Sequence, residues 1–496
     1  MIELSVAEIA DIVGGELADV SAAEASRTIV TAGVEFDSRA VTSGSLFLAL
    51  PGARTDGHDH AAGAVAAGAV AVLAARPVGV PAVVVTPSPG DVSASVLEYD
   101  RDGSGAAVLA ALGRLAAEVA KRLVAGGLTI VGVTGSSGKT STKDLLAAVL
   151  APLGQVVAPP GSFNNELGHP WTVLRADERT DYLILEMSAR HPGNIAALAA
   201  IAPPQIAVVL NVGTAHLGEF GSRQAIAETK AELPQAVPSS GVVILNADDS
   251  VVAAMADKTA ARVVRVSRNT PADVWADDVS LDATARPSFT LHAGQRSIAV
   301  QLAVHGDHQV SNALCAAAVA LECGATGEQL AAALAAAGPV SQARMAVTTR
   351  ADGVTIINDA YNANPDSMRA GLQALAWMAR DGAGRNQKRR SVAVLGEMGE
   401  LGDDAITEHD RIGRLVVRLD VSRLIVVGTG RAMGAMHHGA VMEGSWGAES
   451  TQVDDAQAAL ELLRAELADG DVVLVKASKS AGLAALAETL VGDAGR

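Results

Sequence analysis

Short apolar runs alternate with longer amphipathic segments over most of the chain. From residue 128 onward the apolar runs read LTIVGVT, QVVA, DYLILEM, QIAVVLN and GVVILN, with helical segments between them. Short runs rich in Val, Ile and Leu are typical of strands that are buried on both faces. Because helical crossovers join such strands, the pattern predicts a parallel, doubly wound sheet.

The pattern divides the chain into three blocks, which we predict to be domains at 1–103, 104–338 and 339–496. The first block holds short helices and the candidate strands TAGVEFDSR, SLFLAL, AVAVLA and PAVVV, which indicate a small mixed α/β domain. The second opens with a helix from about 106 to 124 and carries the parallel sheet. A β-rich interval from about 262 to 304 predicts an antiparallel extension of that sheet, followed by Ala-rich helices.

The third block follows a linker at 339–344 and repeats the alternation with VTIIND, SVAVLG, RLIVVG and DVVLVK. This predicts a C-terminal Rossmann-like α/β domain. No G-x-G-x-x-G follows its first strand, and GTGRAMG at 428–434 lacks that spacing as well, so no dinucleotide site is expected there. The expected fold class is therefore α/β with three domains.

Composition and charge narrow the function classes. Hydrophobic residues make up 49% of the chain and aromatic residues only 2%, so the cores must be built from Ala, Val and Leu. The net charge of −17 opposes binding to nucleic acid or to anionic membranes, and we expect neither as a partner. Cys315 and Cys323 have no metal-ligand spacing and indicate buried thiols in a reducing compartment.

The N-terminal stretch MIELSVAEIADIVGG indicates an acidic amphipathic helix rather than a signal peptide. The longest segment without Asp, Glu, Lys or Arg, 191–218, contains Pro203-Pro204 and predicts a helix, turn and strand instead of a membrane span. These features predict a cytoplasmic protein without a membrane span, which we expect to be a monomer.

The most informative segment is 128–144, LTIVGVTGSSGKTSTKD, which predicts a strand, a Gly/Ser turn and a helix. Such a turn lets backbone N–H groups approach a phosphate at the positive end of the helix. A lysine there reaches the β/γ-phosphates, and a hydroxyl from Thr140 or Ser141 can bind Mg²⁺. Val133 occupies the first glycine position of the general P-loop pattern. The predicted ATP-binding loop consists of Thr134, Gly135, Ser136, Ser137, Gly138, Lys139, Thr140 and Ser141.

Polar residues follow three predicted strands of the second block. They are Glu186, Ser188 and His191; Asn211, Thr214 and His216; and Asn246, Asp248 and Asp249. Ligands of open α/β sheets bind beyond the carboxyl ends of the strands, so several of these residues are expected at one site. Glu186 beside a P-loop hydroxyl would offer Mg²⁺ the hard oxygen ligands that it prefers.

Several motifs resemble the ATP-dependent Mur ligases, which add amino acids or a dipeptide to UDP-N-acetylmuramoyl precursors of the bacterial cell wall. They are TGSSGKT, NNELGHP at 164–170, EMSARHPG from 186, NVGTAHLGEFGS from 211 and GDHQVSN at 306–312. NDAYNANPDSM at 358–368 is similar to the member that adds D-alanyl-D-alanine, and the EFDSR and DGHD segments are similar to its uridine-nucleotide domain. The D-N-P-R motif of diaminopimelate-adding relatives is missing, and Ala477 stands where a glycine is usual.

The resemblance implies an amide-forming reaction with ATP and Mg²⁺, whose partners are a UDP-N-acetylmuramoyl tripeptide and D-Ala-D-Ala. It implies catalytic or metal-binding roles for Lys139, Thr140, Glu186, His216 and Lys230, and ATP contacts from Asn312, Arg344 and Asp359. It also implies substrate contacts from Asp37, Ser38, Arg39, Asn164, Asn165, Ser188, Tyr361, Asn362 and Asn364. In this family a lysine at the place of Lys230 is carbamylated, which would turn its side chain into a carboxylate.

Other interpretations of these residues remain open. Asp359 could cap the helix expected near Pro365, Arg344 could be a surface charge, and 37–39 could be an ordinary turn. His216 could be a strand-end histidine, and Lys230 a solvated lysine between Glu228 and Glu232. For the whole chain, the alternatives are a folylpolyglutamate-synthase-like ligase, which would not need the first block, and a P-loop switch ATPase.

Overall fold

The computed structural model describes residues 1–87, 97, 99–213, 217–380, 388–444 and 449–493. Within these residues the strands form sheets of two, five, nine and six strands. The two smaller sheets come from the first block, the nine-stranded sheet from the second and the six-stranded sheet from the third. The predicted α/β fold class is confirmed.

The N-terminal domain is a small mixed α/β unit. Its strands are β1 Leu4–Ser5, β2 Glu16–Ala18, β3 Ile29–Val30, β4 Val34–Glu35, β5 Leu46–Leu48, β6 Ala71–Ala74 and β7 Ala82–Val84, and its helices are α1 Val6–Val13, α2 Ala22–Ala25 and α3 Ala61–Ala66. Strands β4 to β7 are parallel, β2 joins β7 in an antiparallel pairing, and β1 pairs with β3. The expected helix at the N-terminus is α1, which a capping box between Ser5 and Glu8 begins.

The middle domain opens with helix α4, Ser104–Ala125, and contains the nine-stranded sheet. Its strands are β8 Thr129–Thr134, β9 Val156–Val157, β10 Tyr182–Glu186, β11 Ile206–Val209, β12 Val242–Asn246, β13 Arg262–Ser267, β14 Val274–Leu281, β15 Pro287–Ala293 and β16 Arg296–Gln301. The helices that follow α4 are α5 Lys139–Leu150, α6 Gly168–Val173, α7 Asn194–Ile201, α8 Leu217–Phe220, α9 Arg223–Ala236, α10 Ser250–Ala253, α11 Gln309–Glu322 and α12 Gly327–Ala336.

The nine strands lie in the order β16-β15-β14-β13-β12-β11-β8-β10-β9. The sheet is parallel from β9 through β14, and only the last two pairings, β14 with β15 and β15 with β16, are antiparallel. The expected antiparallel extension from 262 is therefore partly wrong, because β13 and β14 continue the parallel part. Helix α11 packs its buried alanines against α5, so small side chains bring this helix close to the phosphate loop.

The C-terminal domain has the Rossmann-like alternation. Its strands are β17 Ala346–Thr349, β18 Thr355–Asn358, β19 Ser391–Leu395, β20 Arg423–Val427, β21 Ser450–Val453 and β22 Val472–Lys476, and its helices are α13 Pro365–Arg380, α14 Ala405–Arg418, α15 Arg431–Glu443, α16 Ala456–Glu466 and α17 Leu483–Gly492. The order is β17-β18-β22-β19-β20-β21, with β17 antiparallel to an otherwise parallel sheet. The methyl group of Ala477 packs against Gly396. A Cβ atom added at Gly396 would lie 2.9 Å from that methyl group, so Ala477 fits because its neighbour is a glycine.

None of the helices that the structure describes combines the length and the apolar composition needed to traverse a bilayer.

Candidate active site

The phosphate loop connects the end of β8 to the start of α5. Its last residue, Gly138, has a φ of 84°, in the left-handed region that favours glycine. A Cβ atom at Gly138 would lie 2.7 Å from Asn312 Oδ1, so α11 leaves room for a glycine only. The predicted strand–turn–helix is confirmed, and Asn312 lies against the loop.

The loop is fastened to the segment that follows β11. The amide nitrogens of Ser136 and Ser137 donate to the carbonyl oxygen and to Oδ1 of Asn211, at 3.1 and 2.9 Å. The Gly213 amide donates to Ser136 Oγ at 2.9 Å. Thr134 is tied elsewhere, because its buried hydroxyl donates to the Met187 carbonyl at 2.9 Å. These hydrogen bonds hold the loop in place through groups of the protein itself.

Lys139 is the cation of the loop. Its Nζ donates to the Gly135 carbonyl at 2.7 Å, so the ammonium folds back over the turn at the positive end of α5. Burial lowers the pKa of this ammonium, and the nearby Glu186 carboxylate opposes that shift. A phosphate that accepted hydrogen bonds from the loop would place a negative charge beside the Lys139 ammonium and so favour its charged form.

Glu186, at the end of β10, lies beside Thr140 at the start of α5. The Thr140 hydroxyl is 3.3 Å from Glu186 Oε2 and 2.8 Å from Ser162 Oγ, and Asn164 Nδ2 donates to the same carboxylate oxygen at 3.5 Å. Glu186 is 1% exposed, and burial raises the pKa of its carboxyl group. Its second oxygen, Oε1, is buried without a hydrogen-bond partner in the described part of the chain. A buried carboxylate with a free oxygen next to a hydroxyl suits a hard divalent cation.

Lys230 lies in α9 and is 6% exposed, which excludes its interpretation as a solvated helix lysine. Burial lowers the pKa of its amine well below the usual value, and the charge of Lys139 lowers it further. The neighbouring acids point elsewhere: Glu232 accepts from the Gly193 amide at 2.7 Å, and Glu228 accepts from Gln224. The predicted ligand His216 lies outside the described residues.

Arg344 extends from the linker into the phosphate site. One guanidinium nitrogen, Nη2, is 3.4 Å from Thr140 Oγ1 and 3.3 Å from Ser162 Oγ. The guanidinium lies over the ring of Tyr361, 4.2 Å from its centroid, and its Nε is buried without a partner among the described residues. Because the side chain spans two domains, Arg344 is not a surface charge.

Asp359 follows β18 and does not cap α13. Its Oδ1 accepts from the Met345 amide at 3.1 Å, and its Oδ2 forms a 2.6 Å ion pair with Lys476. The next residues lie close to the middle domain: Asn364 Nδ2 is 3.5 Å from the Ser136 carbonyl, and a Cβ at Gly213 would lie 2.0 Å from Asp366 Oδ2. The structure therefore brings the C-terminal domain onto the phosphate loop.

The remaining predicted substrate residues form local contacts. Asp37 accepts from the Arg39 amide and guanidinium, which lower the pKa of its carboxyl group to about 2. Asn165 Oδ1 accepts from the Gly168 amide, the Ser188 amide donates to the Asn164 carbonyl, and Asn362 supplies its carbonyl to Lys476. The turn interpretation of 37–39 thus matches the geometry, and the half-buried Ser38 lies in the same turn.

An aromatic cluster joins the N-terminal and middle domains. Trp171, on α6, donates from Nε1 to the Val34 carbonyl at 2.8 Å and meets Phe36 and Phe163 with centroid distances of 5.8 and 4.7 Å. Phe163 stands between Ser162 and Asn164, the two residues that contact Thr140 and Glu186. The first domain is therefore packed on the loop that lines the phosphate site.

Three further residues, Ser162, Lys143 and Lys476, were not predicted from the sequence. Ser162 lies two positions before the first residue of the NNELGHP run, which was the available signal. Lys143 follows the phosphate-loop motif on α5, and Lys476 ends β22. Lysines at a strand end or on a helix are ordinary in sequence, and only their burial in the folded chain distinguishes these two.

Three domain models of one family match the chain: the Mur ligase middle domain at 133–320, the Mur ligase glutamate ligase domain at 343–479, and the Mur ligase family catalytic domain at 31–118. The UDP-N-acetylmuramoyl-tripeptide--D-alanyl-D-alanine ligase of Mycobacterium tuberculosis is 72% identical, over 99% of this chain and 98% of that protein. The chain belongs to the Mur ligase family.

Solved structures agree with this assignment. A crystal structure of MurF from Acinetobacter baumannii has a TM-score of 0.81 and 28% identity to this Mur ligase, covering 99% of each chain. MurF ligase from Thermotoga maritima, crystallised in complex with ADP, has a TM-score of 0.74 and 28% identity, covering 93% of this chain and 97% of that one. The resemblance to the Mur ligases that the motifs indicated is confirmed.

Proposed function

We propose that this Mur ligase uses ATP to join D-alanyl-D-alanine to a UDP-N-acetylmuramoyl tripeptide in peptidoglycan precursor synthesis. The observation that carries the proposal is its 72% identity, over 99% of the chain, to an enzyme named for that reaction. The cluster of Lys139, Thr140, Glu186 and Arg344 supports the use of ATP, because these side chains suit the phosphates of a nucleoside triphosphate.

The reaction has two steps. The tripeptide carboxylate attacks the γ-phosphorus of ATP, and the bond to the β–γ bridging oxygen breaks. ADP departs, and the tripeptide is now an acyl phosphate. The free amine of D-Ala-D-Ala then attacks the acyl carbon, loses a proton and expels phosphate through a tetrahedral intermediate. Negative charge moves between oxygens in both steps, so positioned cations such as Lys139 and Arg344 stabilise the transition states.

Mg²⁺ fits the residues present. Thr140 Oγ1 and the Glu186 carboxylate would hold it, since Glu186 Oε1 is buried and unpartnered among the described residues. When bound, the ion would neutralise charge on the phosphates. His216 remains a proposed ligand from its place in the NVGTAH segment.

We propose that Lys230 is carbamylated. The reaction with CO₂ needs a neutral amine, and a buried lysine with a lowered pKa supplies one. The N–C bond forms as one C=O π bond of CO₂ opens to a carboxylate and the nitrogen releases a proton, so a neutral amine near the Lys139 charge becomes an anion. The carbamate would then serve as a second, long carboxylate toward Mg²⁺.

The substrate contacts are proposed from position and motif. Asp37, Ser38 and Arg39 would meet the uridine nucleotide on the N-terminal domain. Asn164, Asn165 and Ser188 lie on the middle-domain side of the site, and Tyr361, Asn362 and Asn364 lie on the C-terminal side. The peptide would run between these two walls. We further propose a monomer that acts in the cytoplasm, where ATP is supplied, and light scattering would test the monomer.

The test is a phosphate-release screen. UDP-N-acetylmuramoyl tripeptide plus D-Ala-D-Ala should release phosphate and form the pentapeptide product, and omission of either substrate should abolish release. Glutamate addition to a folate would instead support a folylpolyglutamate-synthase-like ligase. Equal hydrolysis without an acceptor would support a switch ATPase and overturn the proposal.

A further inference from the structure

The linker that carries Arg344 has an unusual backbone. Ala343 and Met345, the residues on either side, have φ values of 52° and 49°, although neither is glycine. Non-glycine residues persist in this left-handed region only where their surroundings hold them there. The linker must therefore be fixed at both ends, and the structure shows how.

The end of the linker nearest the middle domain is fixed by Lys143. This lysine is 2% exposed, and its Nζ donates to the Pro159 carbonyl at 2.8 Å and to Ser341 Oγ at 3.3 Å. It also forms an ion pair with Asp144 Oδ1 at 2.5 Å, while Asp144 Oδ2 accepts from the Ser341 amide at 3.2 Å. Ser341 is thus held through its side chain and its backbone.

The end nearest the C-terminal domain is fixed by Lys476, which is 1% exposed. Its Nζ pairs with Asp359 Oδ2 at 2.6 Å and donates to the Asn362 carbonyl at 3.0 Å. The other oxygen of Asp359 accepts from the Met345 amide, and the Ala343 carbonyl accepts from the Tyr361 amide at 3.2 Å. One ammonium therefore orients both the carboxylate that fixes Met345 and the loop that carries Tyr361.

We propose that Lys143 and Lys476 are positioning residues of the ligase reaction, each anchoring one end of the linker 341–345 so that Arg344 is presented to the Thr140 and Ser162 hydroxyls. The proposal rests on the function proposed above for its kinetic consequences. Neither lysine needs to touch substrate, because both act through the backbone on either side of Arg344. A buried ion pair costs free energy to assemble because both charges lose water. Two such pairs at one strained linker therefore indicate that the position of the linker backbone, and with it of Arg344, must be fixed.

The first test is a double-mutant cycle with Lys476→Met and Arg344→Ala. Lys476→Met removes the charge with little loss of side-chain length, and we expect kcat to fall at least ~10-fold while KM for the UDP-substrate changes less than about 3-fold. In the Arg344→Ala background the same substitution should cost less than about 2-fold, because its effect passes through Arg344. Equal losses in both backgrounds would overturn the proposal.

Two further variants distinguish a loss of positioning from a loss of folding. Lys121→Met changes an 80% exposed lysine of α4 and should leave kcat unchanged. Ser341→Ala removes one hydroxyl from the Lys143 anchor with little risk to folding and should lower kcat about 3-fold, as expected for one lost hydrogen bond. Wild-type turnover in Ser341→Ala, or a loss that remains undiminished with Arg344→Ala, would contradict the assignment of Lys143.

A second readout does not depend on turnover. Hydrogen exchange at the Met345 amide should be at least ~10-fold faster in Lys476→Met than in wild type, and unchanged in Lys121→Met. Unchanged exchange in Lys476→Met would overturn the anchoring. If wild type failed to ligate D-Ala-D-Ala while this difference in exchange remained, the proposed function would be wrong and the linker anchors would stand.

Discussion

Gly218 of the middle domain and Gly402 of the C-terminal domain meet backbone to backbone. A Cβ on Gly218 would lie 2.5 Å from the Gly402 amide nitrogen, and the Gly218 amide donates to the Glu400 carbonyl at 3.3 Å. Arg190 and Glu400 add an ion pair of 3.4 Å across the same boundary. The two domains can close to this distance only because neither glycine has a side chain.

Gly218→Ala should therefore hinder closure. We expect kcat to fall about 10-fold, since closure positions the C-terminal groups and would exclude water from the proposed acyl phosphate. X-ray scattering with an ATP analogue and UDP-substrate should give a larger radius of gyration than wild type under the same conditions. Gly434→Ala, in open space on α15, is the matched control and should behave as wild type. Wild-type compaction and rate in Gly218→Ala would contradict the closure contact.

Lys139→Ala should remove most turnover. In the proposed reaction the ammonium supplies positive charge to the transition state, and losing one such group costs ~10² or more in rate. The fold should survive, because burial already disfavours the charged ammonium at this site. Turnover and thermal melting are the measurements, with the exposed Lys121→Ala as control. A variant with the turnover of wild type would refute the assignment of the nucleotide site.

Glu186→Gln should lower the activity and raise the thermal stability. We expect a rate loss of ~10² and a higher Mg²⁺ requirement, since an amide is a poor substitute for a carboxylate ligand. Burial raises the folded-state pKa of this carboxyl group, so its ionisation costs stability above that pKa and costs nothing once the group is protonated. Glu186→Gln should thus melt higher than wild type at pH 8, by an amount that shrinks as the pH falls.

The exposed Glu228→Gln serves as the control for this pair of measurements. It should change neither the Mg²⁺ requirement nor the melting difference between high and low pH. If Glu186→Gln melts lower than wild type at pH 8, the buried carboxylate is compensated and its ionisation does not cost stability.

Lys230→Ala should be nearly inactive, and added acetate or propionate should restore part of the activity by filling the vacated anion position. The reason is the proposed carbamate, which the lowered pKa of the buried amine permits. Mass spectrometry under native conditions should detect the added CO₂ on wild type. An active, Mg²⁺-loaded enzyme with an unmodified amine would disprove the carbamate.

Buried parallel strands were the most predictable part of the fold. The runs that become β8, β10, β11, β12, β18, β19, β20 and β22 are apolar on both faces and stand out in sequence. The edge strands β17 and β21, AVTT and STQV, were not predicted because an edge strand needs no apolar run. The parallel direction of β14 relative to β13 could not be predicted either, because nothing in the local sequence distinguishes a parallel from an antiparallel neighbour.

The candidate site was predictable where one motif carries it. The phosphate loop is continuous in sequence, and strand ends bring Glu186 to it. Lys143 and Lys476 act through partners far apart in the chain, such as Lys143 with Ser341, so no local pattern marks them, and Ser162 is marked only by its position near the NNELGHP run. The domain boundaries at 103 and 338 remain predictions from sequence.

The scarcity of aromatic residues gives Trp171 an optical use. The chain has 4 tryptophans, and the indole of Trp171 bonds to Val34 while its ring meets Phe36 and Phe163 and lies 4.9 Å below the Arg175 guanidinium. Its surroundings thus come from two domains, and its emission must change when they separate. With phenylalanine at the other three tryptophan positions, Trp171 would be the single tryptophan of the chain. Its fluorescence would then report the rate at which the N-terminal domain docks, independently of closure by the C-terminal domain.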